Sequence, residues 1–468
     1  MSTPSATEPT TWTAAETARR TTAGEVSAVE VTQASLARIA ELDPALNAMS
    51  VVLGTEALAE AEARDRSLAA GEPTGPLHGV PVVIKEENDV AGCVTTFGGE
   101  ANTTPAAADA EVVRRLREAG AVVLGKTTMP EFGAFPYTES TSRGLTRNPW
   151  DRSRTPGGSS GGTAVAVATG MAPLGLGGDG GGSIRIPSAC VGLFGLKPQR
   201  GRVTTAPHPH LWWALGVLGP LTRTVRDSAL FYDAVRGNLP GDLYTAGDTG
   251  SFLDAAERQP GRLRIGWSTK PVTLGVRPDP EHVRAVEDTA RLLGDLGHDV
   301  REVDPRYPDP TAAFVPQFFA GIRSEAEQVE HPERLERRTL ETVRLGSWVT
   351  PRVRDFALRQ TEEVSRKANR VFDDVDVLLT PTMAHRPPRA GVLDGRGSVA
   401  SSLLAMPAIA YVALWNVAGN PAASVPAGTA ADGLPLAVQL VGRSNDEETL
   451  LSLSAQLEEA RPWPVVTA

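Results

Sequence analysis

The feature that most restricts this chain is the stretch GGDGGGSIRIP, Gly177 to Pro187, where five glycines surround an aspartate and a serine follows. Glycines in such number belong to a flexible linker, or to a place where bare backbone must approach another group closely. The flanks decide against a linker. MAPLGLG upstream reads as a short apolar strand and VGLFGLKP downstream is apolar again, whereas linkers sit among solvated residues. Without Cβ atoms to shield them, amides of this run can point at a ligand. Ile184 to Pro187 then gives the serine a stiff exit.

The rest of the chain frames that loop. VEVTQASLARIAEL has apolar positions at helical spacing and TEALAEAEARDRSLAA is alanine-rich, so residues 11–70 read as helices. Val80 to Ile84 is a buried strand ending on Lys85. Asp109 is the expected cap of a helix over AEVVRRLREAG, which feeds a strand over AVVLGKT. Thr163 to Thr169 is a run of small residues suited to a tightly packed helix, closed by Gly170. Beyond residue 240, RLRIGWS and HDVREVD read as strands around a helix capped near Asp279. Residues 310–372 read as helical and carry much of the phenylalanine. DVDVLLTP, NVAGNPAASVPAG and GLPLAVQLVGR close the sheet, and a last helix runs from Glu447 to Ala460. Such alternation implies a sheet with helices packed on it. No repeat or long linker interrupts it. The reading is one elaborated domain over residues 11–468, after a Ser/Thr/Pro-rich start at 1–10 expected to be disordered.

Composition removes several classes of function. A formal net charge of −10 disfavours nucleic acid and anionic membrane as partners. Cys93 and Cys190 are too few for a disulfide framework or a multi-cysteine metal site, and they fit a reducing compartment. No stretch reaches the ~18 apolar residues of a membrane span. MSTPSATEPT lacks the basic start and apolar core of a signal peptide, so a cytoplasmic protein is expected.

Several chemistries compete for the glycine-rich span. Neither GGSSGGT nor GGDGGGS contains the lysine of a Walker-type phosphate loop. A dinucleotide fingerprint needs an early strand and a later acidic residue in an order these segments do not offer. An elbow-type hydrolase needs G-x-S-x-G, but Gly182-Ser183 is followed by Ile184-Arg185. None of the seven histidines lies in the glycine-rich core; His208 and His210 sit on a nearby loop. A lysine base remains, because a neutral amine can activate a serine and burial can arrange neutrality. Lys85 is one of five lysines among 46 basic residues, and it ends the apolar run VPVVI. Glu86 and Glu87 are expected to face away from its amine. Taken alone, Lys85 could equally be a lysine snorkelling at a strand end.

Three ordered blocks carry a resemblance. GVPVVIKEENDVAG, NPWDRSRTPGGSSGGTAVAVATG and LGGDGGGSIRIPSACVGLFGLKPQRGRV resemble the amidase signature family, densely from about 75 to 235. The likeness returns in DDVDVLLTP and NVAGNPAASVPAG. It implies an α/β fold, a large mixed central β-sheet flanked by helices on both faces. It also implies a Ser–cis-Ser–Lys triad, with Ser183 as nucleophile, Ser159 as bridging serine after a cis Gly158–Ser159 peptide, and Lys85 as base. By the same resemblance the N–H groups of Gly180, Gly181, Gly182 and Ser183 form an oxyanion hole. Ser160, Asp179 and Arg185 are supporting residues. Many members carry threonine where this chain has Gly180, and that glycine is expected to loosen the hole or widen the pocket. Neither a metal nor an organic cofactor is implied.

Substrate choice lies outside these blocks. Met129, Phe132, Phe135 and Tyr137 fall on the family's acyl-side loop, and Trp212, Trp213, Tyr411 and Trp415 add aromatic surface. Together they favour an apolar or aromatic small-molecule amide or carbamate, with anilides and esters as related acyl donors. A monomer or homodimer is expected. The competing enzyme reading is the ammonia-producing glutamine amidase subunit of a tRNA-dependent amidotransferase. A binding module that kept the fold and lost catalysis is the non-enzymatic alternative.

Overall fold

The computed structural model describes residues 8–464 and 466. Five strands form one sheet in the order β1 (Met49–Val52), β3 (Val122–Thr127), β2 (Pro81–Lys85), β6 (Leu174–Asp179) and β8 (Val217–Thr222). Six more follow the order β10 (Asp299–Glu302), β9 (Arg264–Trp267), β11 (Val377–Pro381), β13 (Pro435–Val441), β12 (Ala422–Thr429) and β7 (Gly195–Lys197). A small hairpin pairs β4 (Glu139–Ser140) with β5 (Gly144–Leu145). Phe194, just before β7, exchanges both backbone hydrogen bonds with Thr222 of β8, at 3.0 and 3.1 Å. That bridge joins the two larger sheets edge to edge. The fold is α/β around mixed sheets, as the resemblance implies: β3, β2 and β6 run parallel, β8 antiparallel to β6.

Strand β2 shows why this sheet is covered on both sides. All five of its residues are buried, which suits a parallel strand with helices on each face. Val82 and Ile84 join one apolar cluster with Val225 and Phe231 of the helix Val225–Val235. Val83, pointing the other way, joins Val165 and Val167 of the helix Gly161–Ala168. That second helix is built of small residues because it must sit close. A Cβ on Gly162 would lie 2.4 Å from Thr128 Oγ1 and 2.5 Å from the Ala48 carbonyl oxygen. Gly170 follows with φ +76°, where a left-handed turn ends the segment.

Local expectations needed correction at three places. Residues 11–70 are helical over Ala14–Thr22, Ala28–Leu46 and Gly54–Ala69, but β1 interrupts them as the edge strand beside β3. Four residues between two helices give too little alternation to register against the helical period around them. Asp109 does not cap its helix, which starts at Glu111 behind Ala110. Its carboxylate accepts the Ala91 N–H at 2.8 Å and pairs with Arg117 at 3.0 Å instead. Of the start expected to be disordered, residues 1–7 lie outside the described residues, and Pro9–Thr11 forms a 3-10 turn. Among the described residues, no helix is long and apolar enough to cross a membrane.

Phe194 is fully buried at the bridge between the sheets. Phe194→Ala is expected to cost about 3–5 kcal/mol, as for other buried phenylalanines. A denaturant midpoint unchanged from the wild type would show that the junction carries no such load.

Candidate active site

The parallel strands β2 and β6 end side by side, and crevices beyond the carboxyl ends of such strands are where α/β sheets bind ligands. Lys85 is the last residue of β2 and its side chain is 1% exposed. Ser159 arrives on the loop before Gly161–Ala168, after a cis Gly158–Ser159 peptide. The Lys85 Nζ donates to Ser159 Oγ at 2.8 Å. Ser183 follows β6 and lines the same small chamber as Lys85 and Ser159.

One expectation about this lysine fails. Glu86 does turn away, accepting the Thr96 N–H at 3.0 Å and lying 3.4 Å from Lys126 Nζ. Glu87 does not; its Oε2 sits 3.1 Å from Lys85 Nζ. The cause is the turn after β2, closed by the Asn88 N–H on the Lys85 carbonyl at 3.0 Å, which folds Glu87 back over the strand end. Gly178 makes room for that carboxylate, since a Cβ there would lie 2.1 Å from Glu87 Oε1.

The serine loop is held from beneath by a buried ion pair. Arg185 grips both oxygens of Asp179 at 3.0 Å, and neither side chain is exposed. Burial opposes the charge on Asp179, yet the Arg185 guanidinium and the Asn416 amide hold its carboxyl well below the usual carboxylate range. Asp179 Oδ1 also accepts the Gly182 N–H at 2.6 Å, and Oδ2 the Ile184 N–H at 3.2 Å. This corrects the expected oxyanion hole: the Gly182 amide is already committed to Asp179. Hydrogen bonds among the described residues leave the amides of Gly180, Gly181 and Ser183 without an acceptor. Ser160 supports the loop, exchanging hydrogen bonds with Gly178 at 3.2 and 3.3 Å and donating its N–H to the Ser183 carbonyl.

Each glycine of the loop has its own reason. Gly182 adopts φ +122°, and a Cβ there would meet Val412 at 2.5 Å. A Cβ on Gly181 would press on the Phe314 ring at 3.2 Å. At Gly180 it would lie 2.8 Å from Trp212 Cε3. The ring of Trp212 therefore occupies the space that a side chain at position 180 would need. Its far side is set against Gly321, where a Cβ would lie 2.6 Å from the indole. Its Nε1 donates to Glu325 Oε1 at 3.0 Å. Glu325 is partly exposed, but burial of its carboxyl, and after it the neighbouring Glu87, push that carboxyl well above the usual range.

Trp212 borders three spaces. The chamber at Lys85, Ser159 and Ser183 has a volume of about 20 Å³ and includes Glu87, Phe132 and Glu325 in its wall. An apolar cleft of about 440 Å³ reaches Ser183 and Gly181 from the other side. An outer polar cleft of about 520 Å³, with His208 and His210 on its wall, lies beyond Trp212 and Glu325. Of the expected pocket residues, Phe132, Phe135 and Trp212 line the chamber or the apolar cleft. Met129, Tyr137, Trp213, Tyr411 and Trp415 line none of the three. Met129 is buried, and the Tyr137 hydroxyl donates to the Leu404 carbonyl. Tyr411 bonds the Thr269 carbonyl and Trp415 packs on Phe372 in the core. Trp213 stacks on His210 at 4.0 Å beneath Arg354. Sequence reasoning missed Phe314 and Phe318 of the helix Thr311–Ala326, and Met406 and Ile409 of the helix Ser398–Ile409, which wall the apolar cleft. The phenylalanines at i and i+4 were the available signal.

A buried lysine on a serine, beside a second serine in a glycine loop, is the arrangement of the amidase signature enzymes, and the chain belongs to that family. The model of the Amidase family matches residues 30–451. The chain is an amidohydrolase of this kind. It is 51% identical over 453 residues to the Mycobacterium tuberculosis protein named "Putative amidase AmiB2", covering 96% of both chains. Among solved structures it resembles 6-aminohexanoate cyclic dimer hydrolase, at a TM-score of 0.89 and 32% identity over 97% of each chain. A bacterial aryl acylamidase of the amidase signature family superposes at a TM-score of 0.87, with 29% identity, covering 97% of this chain and 96% of that one.

Two variants test this construction. Asp179→Asn leaves Arg185 buried without its counter-charge and is expected to cost about 3–5 kcal/mol of stability, read from denaturant unfolding. Gly180→Ala is expected to displace Trp212 and lower kcat/KM. The double variant Gly180→Ala, Trp212→Ala should recover part of that loss; if the two losses simply add, the ring and position 180 do not compete for space.

Proposed function

We propose that this amidase hydrolyses small carboxamides through an acyl-enzyme on Ser183, with Ser159 relaying protons to Lys85. The observation that carries the reading is the 2.8 Å contact of Lys85 Nζ with Ser159 Oγ at the wall of the chamber that Ser183 also lines. An N···O separation of that length serves proton transfer in either direction. As Ser183 Oγ attacks the carbonyl carbon, its proton passes to Ser159 and the Ser159 proton to Lys85. The relay then reverses to protonate the leaving nitrogen, and water repeats the cycle on the acyl-enzyme. The amides of Gly180, Gly181 and Ser183 are the donors available to the oxyanion, and losing one such donor typically costs about 100- to 1000-fold in rate. Glu87 Oε2, 3.1 Å from Lys85 Nζ, holds the neutral amine over Ser159 and stabilises the ammonium that forms once the lysine has taken the Ser159 proton. Side chains and water carry every step of this scheme.

The walls of the apolar cleft favour an apolar or aromatic acyl group. Anilides, aryl carbamates and esters present the same kind of acyl carbon to the serine. The tRNA-dependent amidotransferase reading is not favoured, because the relatives above are named as amidases and hydrolases.

Ser183→Ala is expected to lose all measurable turnover and all labelling by a fluorophosphonate probe, with the fold intact by circular dichroism. Ser159→Ala and Lys85→Ala should each lose at least about 100-fold in kcat/KM. A Ser159→Ala enzyme keeping more than about a tenth of the wild-type rate would remove the bridging role.

A further inference from the structure

We infer that Arg338, which touches none of the reacting atoms, is a positioning residue for the apolar cleft. The buried carboxyls of Glu131, Glu139 and Glu336 keep its guanidinium over the ring of Phe135, and that contact fixes a wall on which the acyl group rests. This rests on the reading of the apolar cleft as the seat of the acyl group.

The cluster lies behind the cleft, away from the serine relay. Phe135 lines the cleft, whereas Arg338, the second residue of the helix Arg337–Leu345, does not. The guanidinium carbon lies 5.4 Å from the centre of the Phe135 ring. A cation so placed is attracted to the ring face, the more strongly as water is excluded. Few hydrogen bonds compete with that contact. Arg338 Nη1 is buried without a hydrogen-bond partner, and Nη2 stands 4.0 Å from Glu336 Oε2.

The three carboxyls are engaged elsewhere. Glu131 accepts the Glu336 N–H at 3.0 Å. Glu336 accepts the Ser140 hydroxyl at 2.7 Å and the Thr141 N–H at 2.6 Å. Glu139 accepts the Leu393 N–H at 3.1 Å. These bonds join the loop that carries Phe135, the hairpin of β4 and β5, the helix Arg337–Leu345 and the segment leading into the helix Ser398–Ile409. Leu345, Val399 and Leu403 from those last two helices line the cleft with Phe135. The carboxyls therefore pull on Arg338 through space while they stitch the walls together.

Charge balance explains why this residue is an arginine. Burial pushes the Glu131 carboxyl up to about 7 and raises that of Glu139, and the charge of Arg338 pulls both down. Asp394 adds a further negative charge beside Glu139. Neighbouring cations are spent: Arg143 donates to the Gly99 carbonyl at 3.3 Å, and Arg337 pairs with Glu341 at 3.1 Å. A neutral side chain at 338 would leave the carboxyls without that counter-charge and the Phe135 ring without its cover.

The test uses the full-length enzyme on acetamide and 3-phenylpropanamide, with released ammonia measured; the readout is the ratio of kcat/KM for the larger amide to that for the smaller. Arg338→Met is expected to lower this ratio at least ~5-fold, the loss of one desolvated cation–ring contact. Acetamide turnover should stay within about 2-fold of wild type, which a general loss of structure would not allow. In a Phe135→Leu background the same change should move the ratio less than about 2-fold. Arg338→Lys keeps the charge but not the planar face, and should lower the ratio at least ~2-fold even if the methionine variant does not fold. A ratio unchanged in the Arg338 variants would overturn the inference, as would an equal fall with and without the Phe135 ring. Phe314→Ala, on another wall of the cleft, separates the two readings. A ratio that falls for Phe314→Ala but not for the Arg338 variants removes only the positioning role, whereas a ratio indifferent to Phe314→Ala removes the cleft as the acyl seat.

Discussion

The ion pair of Asp179 and Arg185 is the contact on which the site depends. Two charges taken fully out of water are costly unless their geometry and remaining hydrogen bonds compensate. Here they do. The Asp179 oxygens collect the Gly182 and Ile184 amides and the Asn416 amide group as well as the guanidinium. Arg185 spends its other donors on the Val412 carbonyl, the Gln439 side chain of β13 and Asn416. Asp179 ends a strand of one sheet and Gln439 lies in the other, so a single charge pair sets the serine loop against both. Phe194 and Thr222 join the same two sheets through the backbone. A loop of bare glycines would otherwise have no fixed shape, because glycine gives up more conformational freedom on ordering than any other residue.

Trp212 decides the shape of the space above that loop. Its backbone lies in the left-handed region, with φ +48°, and Trp213 follows at φ +60°. Residues with side chains rarely hold that conformation unless the surroundings over-determine them. The hydrogen bond to Glu325, the edge-on contact with Phe318 at 5.2 Å, and the glycines at 180 and 321 supply that determination. The consequence is a wall between a polar outer cleft and the lysine chamber. Gly180, set against members of the family that carry threonine, gives the space of its side chain to an indole.

Lys85 and Glu87 illustrate how far local pattern reaches. The apolar run of β2 correctly buries Lys85 at the strand end, because a parallel strand covered on both faces leaves no side chain exposed while the strand lasts. It says nothing about Glu87, which lies past the strand in a turn. There the direction of a side chain is set by the turn's own hydrogen bond and by the vacancy that Gly178 leaves on a neighbouring strand.

The sequence by itself determined the α/β class, most of the strands and helices, the residues that meet at the strand ends, and the supporting place of Asp179 and Arg185 in the serine loop. These are legible because they rest on periodicity, on glycine spacing within one loop, and on ordered motifs whose members lie close in the chain. Only the tertiary structure decided that the Gly182 amide is taken and that Trp212 rather than Trp213, Tyr411 or Trp415 faces the site. It alone placed Glu87 and Glu325 on one chamber and brought the phenylalanines of the helix Thr311–Ala326 over the serine. Glu325 lies 142 positions from Ser183 in the chain, and no local rule relates residues so far apart. Which of several buried aromatic or acidic side chains faces a ligand depends on how helices pack across the sheet, and that is settled by the shape of the whole core.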